Sequence, residues 1–405
     1  MKQYNTGMLK TGLLIAGSFA SSTVFAEIQW NGFASVKASY ASYDNIVVPI
    51  NQLPDDNEFT FKNDSVFGLQ ARADLADGLT ATIQMVAEGR NDFDLEARWA
   101  YLSYKLNDNF TINAGRMANP IFYQSEYELV GYAHDYGRLP KSVYFGYEFN
   151  VVEGISLDTQ HLIGDFLLKT KTLYGTWDGD IFIGATGSEL SASFDSLLSF
   201  RAEVSKDNWS LFSGVMSLTF DDEGGLIELQ NGVGQGAAAA AIANGATEAQ
   251  GQQLVNLLSY ADKDGIYAYA GFNWSYQDVL VSYERTQVTL DDTAFPDVDG
   301  WYLSLGYRFN DLLLTVRKEK LDRDLELESF DFLGHPILEG AAQALHIATG
   351  GGLIDGYGVG MRYDFHPNAA LKFDYFFGDD DRPLTLPLGE KGEFDVVTLG
   401  VDIVF

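Results

Sequence analysis

From Ile28 to the terminal Phe405 the chain repeats one pattern: a short stretch in which apolar and polar side chains alternate, then a turn. In the first stretch Ile28, Trp30, Ala34, Val36, Ala38 and Tyr40 share one face. Gln29, Asn31, Ser35, Lys37 and Ser39 share the other, with Phe33 the exception. A second stretch, Phe59 to Leu75, sets Phe67, Leu69, Ala71, Ala73 and Leu75 against Gly68, Gln70, Arg72 and Asp74. A third follows after only Ala76-Asp77-Gly78. A period of two over consecutive segments means strands with one apolar and one wet face. Further strands are predicted at 93–106, 110–117, 144–160, 166–177, 196–205, 208–219, 265–276, 279–289, 300–309, 312–321, 354–364, 369–377 and 393–405, which makes sixteen.

The connections alternate as strictly as the side chains. Asn107-Asp108-Asn109, Gly164-Asp165, Lys206-Asp207, Gln277-Asp278, Asn310-Asp311 and His366-Pro367-Asn368 are hairpin turns, rich in residues that tolerate left-handed backbone. The connections between them are mostly long. Short turns at one end and long loops at the other define an all-β, antiparallel barrel that crosses a membrane, with the short turns on the periplasmic side. In the fourth strand Glu96 and Arg98 oppose Trp99 and Tyr101, yet Leu102, Tyr104 and Leu106 belong outside. A bulge reconciles the two halves.

Residues 1–26 read as a cleaved export signal. Lys2 and Lys10 make a positive start, Gly12 to Phe19 an apolar core, and Val24-Phe25-Ala26 a cleavage site, leaving 27–405 as the barrel. No later run reaches the roughly 18 apolar residues of a membrane helix. Cysteine is absent, which excludes disulfides and thiolate metal sites. Loss of Lys2 and Lys10 takes the net charge from −31 to −33, so a polyanion such as nucleic acid is repelled and small cations are the natural partners.

Much of that charge lies in external loops: Asp55-Asp56-Asn57-Glu58, Asp221-Asp222-Glu223, Asp291-Asp292 and Asp379-Asp380-Asp381. These runs read as solvated surface, since they lack the ligand spacing of a calcium loop. Two loops carry helical stretches, at 237–260 and from Pro336 through Ile347. Hydrolytic chemistry is not expected. The five histidines (His134, His161, His335, His346, His366) read as surface or loop residues, and no nucleophile, zinc or phosphate-loop motif is present. No cofactor or metal is expected. Arg201, Arg308, Arg317 and Arg362 fall on lumen-facing positions among Glu203, Asp364, Asp374 and Asp402, spaced for lateral ion pairs.

The last strand sets Val397, Leu399, Val401, Ile403 and Phe405 against Thr398, Gly400, Asp402 and Val404, and ends on the aromatic. It resembles the C-terminal assembly signal of bacterial outer-membrane barrels, with Phe405 as the residue read by the barrel-assembly machinery. Together with the stretch GRMANPIFYQSEYELVGYAHDYGRLPKSVY, Gly115 to Tyr144, the whole chain resembles the general, non-specific trimeric porins of Gram-negative bacteria. That resemblance implies a homotrimer in the outer membrane, in contact with its lipid, that passes small hydrophilic solutes and ions. It further implies a third loop folded into the lumen, narrowing it halfway down. Glu126, Glu128 and Asp135 of that loop would then face Lys37, Arg72 and Arg98 on the wall. The family's arginine on the sixth strand is missing, although Arg138 and Lys141 lie just before it. The second external loop, about Arg90 to Asp92, is short for a subunit latch. Two other readings stay open. Phe122, Tyr123, Tyr127, Tyr132 and Tyr136 could form a track in a channel selective for sugars or anions, or the loop helices could plug a structural or adhesive barrel.

Overall fold

A computed structural model of the chain describes residues 27–46, 53–144, 149–183, 188–323, 327–350, 354–380 and 391–405. The expected export signal lies outside the described residues. Sixteen strands cross: β1 (Ile28–Asp44), β2 (Val66–Ala76), β3 (Leu79–Glu88), β4 (Leu95–Asn107), β5 (Phe110–Ala118), β6 (Val151–Ile163), β7 (Phe166–Ile183) and β8 (Ser188–Lys206) form the first half. The second half is β9 (Trp209–Phe220), β10 (Asp264–Tyr276), β11 (Val279–Leu290), β12 (Val298–Phe309), β13 (Leu312–Arg323), β14 (Ile354–His366), β15 (Ala369–Asp380) and β16 (Gly392–Val404). Each pairs antiparallel with the next, and β1 also pairs with β16 from Phe33↔Val404 to Asp44↔Glu393. That last ladder closes the sheet, so among the described strands no open edge is left to meet lipid.

The turns explain why hairpins form where they do. Gly78, Gly164, Asp207, Gln277 and Asn310 all adopt positive φ, between 49° and 72°. Glycine and Asn/Asp take this conformation readily, and it matches the twist of the flanking strands. The bulge in β4 is present: Gln84 opposes Trp99 and Met85 opposes Ala97, leaving Arg98 as the extra residue. Its effect is to let both Arg98 and Trp99 turn into the lumen.

Four boundaries differ most from the sequence reading. Strand β2 starts at Val66, while Phe59–Thr60 is only a two-residue pairing with β1 inside the first loop. Strand β6 starts at Val151, and Lys141–Tyr144 forms a single helical turn, α1. The β7–β8 hairpin continues to Ile183 and from Ser188, well beyond the predicted ends at 177 and 196. A bulge between Gly175 and Trp177 resets which face its residues occupy. The external helices are α2 (Gly225–Ala243), α3 (Glu248–Leu258, with a Thr247/Gln250 capping box) and α4 (Pro336–Gly350). They pack on each other through Ala241, Leu254, Leu258, Leu338 and Ala342. Among the described residues no helix is long and apolar enough to cross a membrane. Strands make the crossing, and their outward faces expose Leu303, Leu305, Tyr307, Leu314, Val316, Tyr357 and Val359 to lipid.

Candidate functional site

The described residues between β5 and β6, 119–144 and 149–150, belong to a loop inside the barrel, named loop 3 here. Apolar residues drive it there. Ile121, Phe122, Tyr136 and Val143 are at most 4% exposed and join Tyr267 and Tyr302 of the wall in the largest hydrophobic cluster. Burying side chains of this size contributes about 1.5–3 kcal/mol each. His134 and His346, read from the sequence as surface or loop histidines, are both buried, the first in loop 3 and the second in α4.

Polar contacts fix the path. One carboxylate, Glu284 on β11, accepts from both legs of the loop: the Tyr123 N–H at 2.9 Å and the Tyr144 hydroxyl at 2.6 Å, with the Tyr302 hydroxyl at 3.4 Å. Wall cations donate to loop carbonyls elsewhere. Arg201 reaches Tyr123 O (3.1 Å), Arg362 reaches Tyr132 O and His134 O (both 2.8 Å), and Lys37 reaches Gly137 O (2.8 Å). Hydrogen bonds with one charged partner contribute about 1.5–3 kcal/mol each. At its deepest point Tyr132 donates to the carbonyl of Pro367, in the periplasmic β14–β15 turn (2.7 Å). Loop 3 therefore runs from the external rim to the periplasmic edge, not merely halfway down.

Of the charge pairing expected from the resemblance, one member forms. Arg98 Nη2 donates to Glu128 Oε2 at 3.0 Å, and the bulge that turns Arg98 inward makes this contact possible. Glu126 instead accepts from Lys171 of β7 at 2.7 Å, and Asp135 lies 3.8 Å from Arg308 of β12. Lys37 is buried beneath the loop, 3.4 Å from Asp402. Arg72 stays exposed on β2.

Lys171 escaped the sequence reading because Lys169 and Lys171 share their face with Leu167 and Leu173, so β7 shows no clean alternation. The lateral pairs of the wall do form: Arg201–Glu203 at 3.0 Å, Arg308–Asp364 at 3.1 Å, Arg317–Asp374 at 2.6 Å and Arg362–Asp364 at 2.7 Å.

Burial divides the lumen. Beneath loop 3, on β10–β16, Glu284, Arg317, Glu319, Lys372, Asp374 and Asp402 are shut off from water. On the opposite side Arg72, Asp74 and Lys169 are exposed, and Tyr101 and Asp158 partly so. A second polar space, about 130 Å³, lies between loop 3 and the first loop, lined by Asp64, Glu88, Arg90, Arg138 and Lys141. There Arg138 donates to Asp64 through Nε (3.0 Å) and Nη2 (2.8 Å), tying loop 3 to the first loop.

Burial opposes ionisation of Asp64, but Arg138, Ser39 and Lys37 together outweigh it and hold its carboxyl below the usual carboxylate range. A carboxyl whose folded pKa is depressed stabilises fully above its unfolded pKa and loses that contribution as pH falls through the folded value. The stability gap between wild type and Asp64→Asn should thus stay constant from about pH 8 to about pH 5 and close only below about pH 4. Thermal unfolding in detergent across this range measures it. A gap already closing near neutrality would show that Arg138 does not hold the carboxylate.

A closed sixteen-stranded barrel with an apolar outer belt and a charged loop laid along one side of its lumen is a transmembrane channel. The profile of the Gram-negative porins matches residues 12–383, and the chain belongs to that family: it is an outer-membrane porin, a path for passive diffusion of small hydrophilic solutes. No curated protein matches it in sequence. Solved structures share the fold. The outer-membrane channel DcaP of Acinetobacter baumannii is 14% identical, with 95% of this chain and 99% of that one aligned at a TM-score of 0.56. An anion-selective porin from Comamonas acidovorans is 12% identical (94% and 100% aligned, TM-score 0.56). OmpF of Salmonella typhi, solved with daunomycin, is 10% identical (94% and 98%, TM-score 0.55).

Proposed function

We propose that solutes pass between loop 3 and the wall formed by β2 and β4–β8, and that the loop's acids give this passage a preference for cations. The observation that supports the reading is an asymmetry in one ion pair. The Glu126 side chain is 49% exposed, whereas its partner Lys171 is 13% exposed, so the charge a passing ion meets is the negative one. Glu128 and Arg98 form a second charged contact, and Asp135 a third toward Arg308. Of the wall cations, Arg72 faces the passage, while Lys37 is withdrawn beneath the loop.

Charges at a narrow point act at short range with little water between, so their influence should outlast the screening that removes loop charges at the mouth. The reversal potential of the reconstituted channel in a salt gradient tests this. Wild type should favour cations, and Glu126→Gln with Glu128→Gln should shift toward anions even in about 1 M salt, where the Debye length is about 3 Å. An anion-preferring wild type, or a double variant with an unchanged potential, would assign selectivity to Arg72 and its neighbours instead.

The sugar-track reading receives less support. Phe122 packs against Tyr144 and Tyr267, and Tyr136 against Tyr302, so these rings serve as the loop's own core. The remaining assignments complete the proposal: residues 1–26 as the export signal, Phe405 as the signal for the assembly machinery, and a homotrimer. For the trimer, the outward faces of β1–β4 set Ala38, Ala71, Ala73, Ala81, Ala87 and Ala100 among larger residues such as Val36, Phe67, Ile83 and Leu102. Small side chains let two walls approach closely.

A further inference from the structure

Any barrel made from one chain has a single junction between strands distant in sequence, here β1 with β16. All other neighbours are joined by a turn or loop, so this ladder alone must be held without a covalent link at either end. We infer that the tip of loop 3 is the internal lock of this seam, and that it seats only on a barrel already closed.

Its seat is assembled from both sides of the junction. Lys372 Nζ, from β15, donates to Gly131 O (2.5 Å) and His134 O (2.6 Å) and lies 3.0 Å from Asp402 of β16. Lys37, from β1, donates to Gly137 O (2.8 Å) and lies 3.4 Å from the same carboxylate. The loop tip and Asp402 thus bridge two lysines that reach the junction from opposite directions. Lys372 and Asp402 are at most 1% exposed, and a buried ion pair separated from its partners is costly.

The fit at Gly131 points the same way. A Cβ there would lie 2.4 Å from both the Asp402 carboxylate on β16 and the Ser35 hydroxyl on β1, so the backbone rests in the notch between the two strands. Immediately before it, Leu129 and Val130 join Phe33 of β1 and Val404 of β16, with Val66 and Val86, in a single apolar cluster. Phe33, the exception to the alternation of β1, faces inward for this reason. With the seam open, the notch is lost and the cluster is parted from Val404, so the tip keeps only half of its seat at a time: the β14–β15 donors on one side, or Phe33 and Lys37 on the other.

Gly131→Val tests the lock without altering the wall. Hydrogen exchange in detergent micelles should rise about tenfold at seam amides such as Val36, Ala38 and Val401, and remain at wild-type rates in the β10–β11 hairpin. Unchanged exchange at the seam, or an equal rise around the whole barrel, would overturn the inference. Should Gly131→Val fail to fold, the same substitution is to be made with Ala38→Cys and Leu399→Cys, residues directly paired across the seam. The chain has no cysteine of its own to interfere. Under oxidising refolding the linked chain should recover a folded barrel, because the disulfide replaces the lock. Failure of the linked chain would overturn the inference as well.

Discussion

Deleting Phe405 should leave export intact and lower insertion into the outer membrane at least about tenfold. The structure gives the residue two local tasks. Its backbone exchanges a pair of hydrogen bonds with Gly32, at 2.9 Å and 2.7 Å, which finish the closing ladder. Its ring covers Gly32, where a Cβ would fall 2.3 Å from it, and lies 6.4 Å from the ring of Phe67. An aromatic at this height sits at the membrane–water boundary, where such rings anchor a barrel. Cell fractionation of the truncated protein is the measurement. Phe405→Tyr retains both backbone bonds and ring and should insert almost normally. Wild-type outer-membrane levels of the deletion would show that the terminal residue is neither anchor nor signal.

Replacing Glu284 with alanine should loosen loop 3 at both ends together. Three donors converge on this fully buried carboxylate, and it is the common fixing point of the two legs. Each donor left without an acceptor costs about 1–3 kcal/mol in a site that water does not reach. Single-channel recordings should show a noisier open current with added sub-levels, and the heat-unfolding midpoint should fall. Glu284→Gln keeps a carbonyl acceptor and should lie between the two. A quiet current at the wild-type level in the alanine variant would mean that the apolar cluster around Phe122 and Tyr267 holds the loop alone.

The strand pattern was legible because the physics behind it is local. Lipid on one side and water on the other forces alternation residue by residue, and a hairpin turn needs its own left-handed residue at its own position. Even the β4 bulge could be placed, since Leu102, Tyr104 and Leu106 cannot face water while Glu96 and Arg98 face lipid. The misplaced boundaries share a cause. Asp178, Gly179 and Asp180 look like loop residues because this part of β7 rises past the apolar belt, where its outer face meets water instead of lipid and turns polar. Phe59 and Tyr144 look like strand because aromatics occur in loops as readily as in sheets.

The site was legible only in its parts. Glu126, Glu128 and Asp135 were recognisable as acids of an inserted loop, and the bulge hinted at Arg98. Their partners Lys171 and Arg308 depend on the loop's course through the lumen, which no periodicity records. Lys37 illustrates the opposite error. Its inward position was clear, but whether an inward lysine meets ions or supports a carbonyl depends on what lies over it.

The β7–β8 hairpin has a consequence for how chains of this kind can diverge. With 18 residues in β7 against 12 in β9, it stands about 20 Å above its neighbour, at roughly 3.3 Å per residue. Because the projection is a paired ribbon, Trp177 and Phe194 touch across it with ring centroids 4.9 Å apart, and the base of α2 leans on Ser191. A one-residue insertion in either strand would turn its later side chains to the opposite face and undo both contacts. Growth or shrinkage of this projection is therefore confined to matched steps of two residues per strand, while the irregular loops beside it can change by any number.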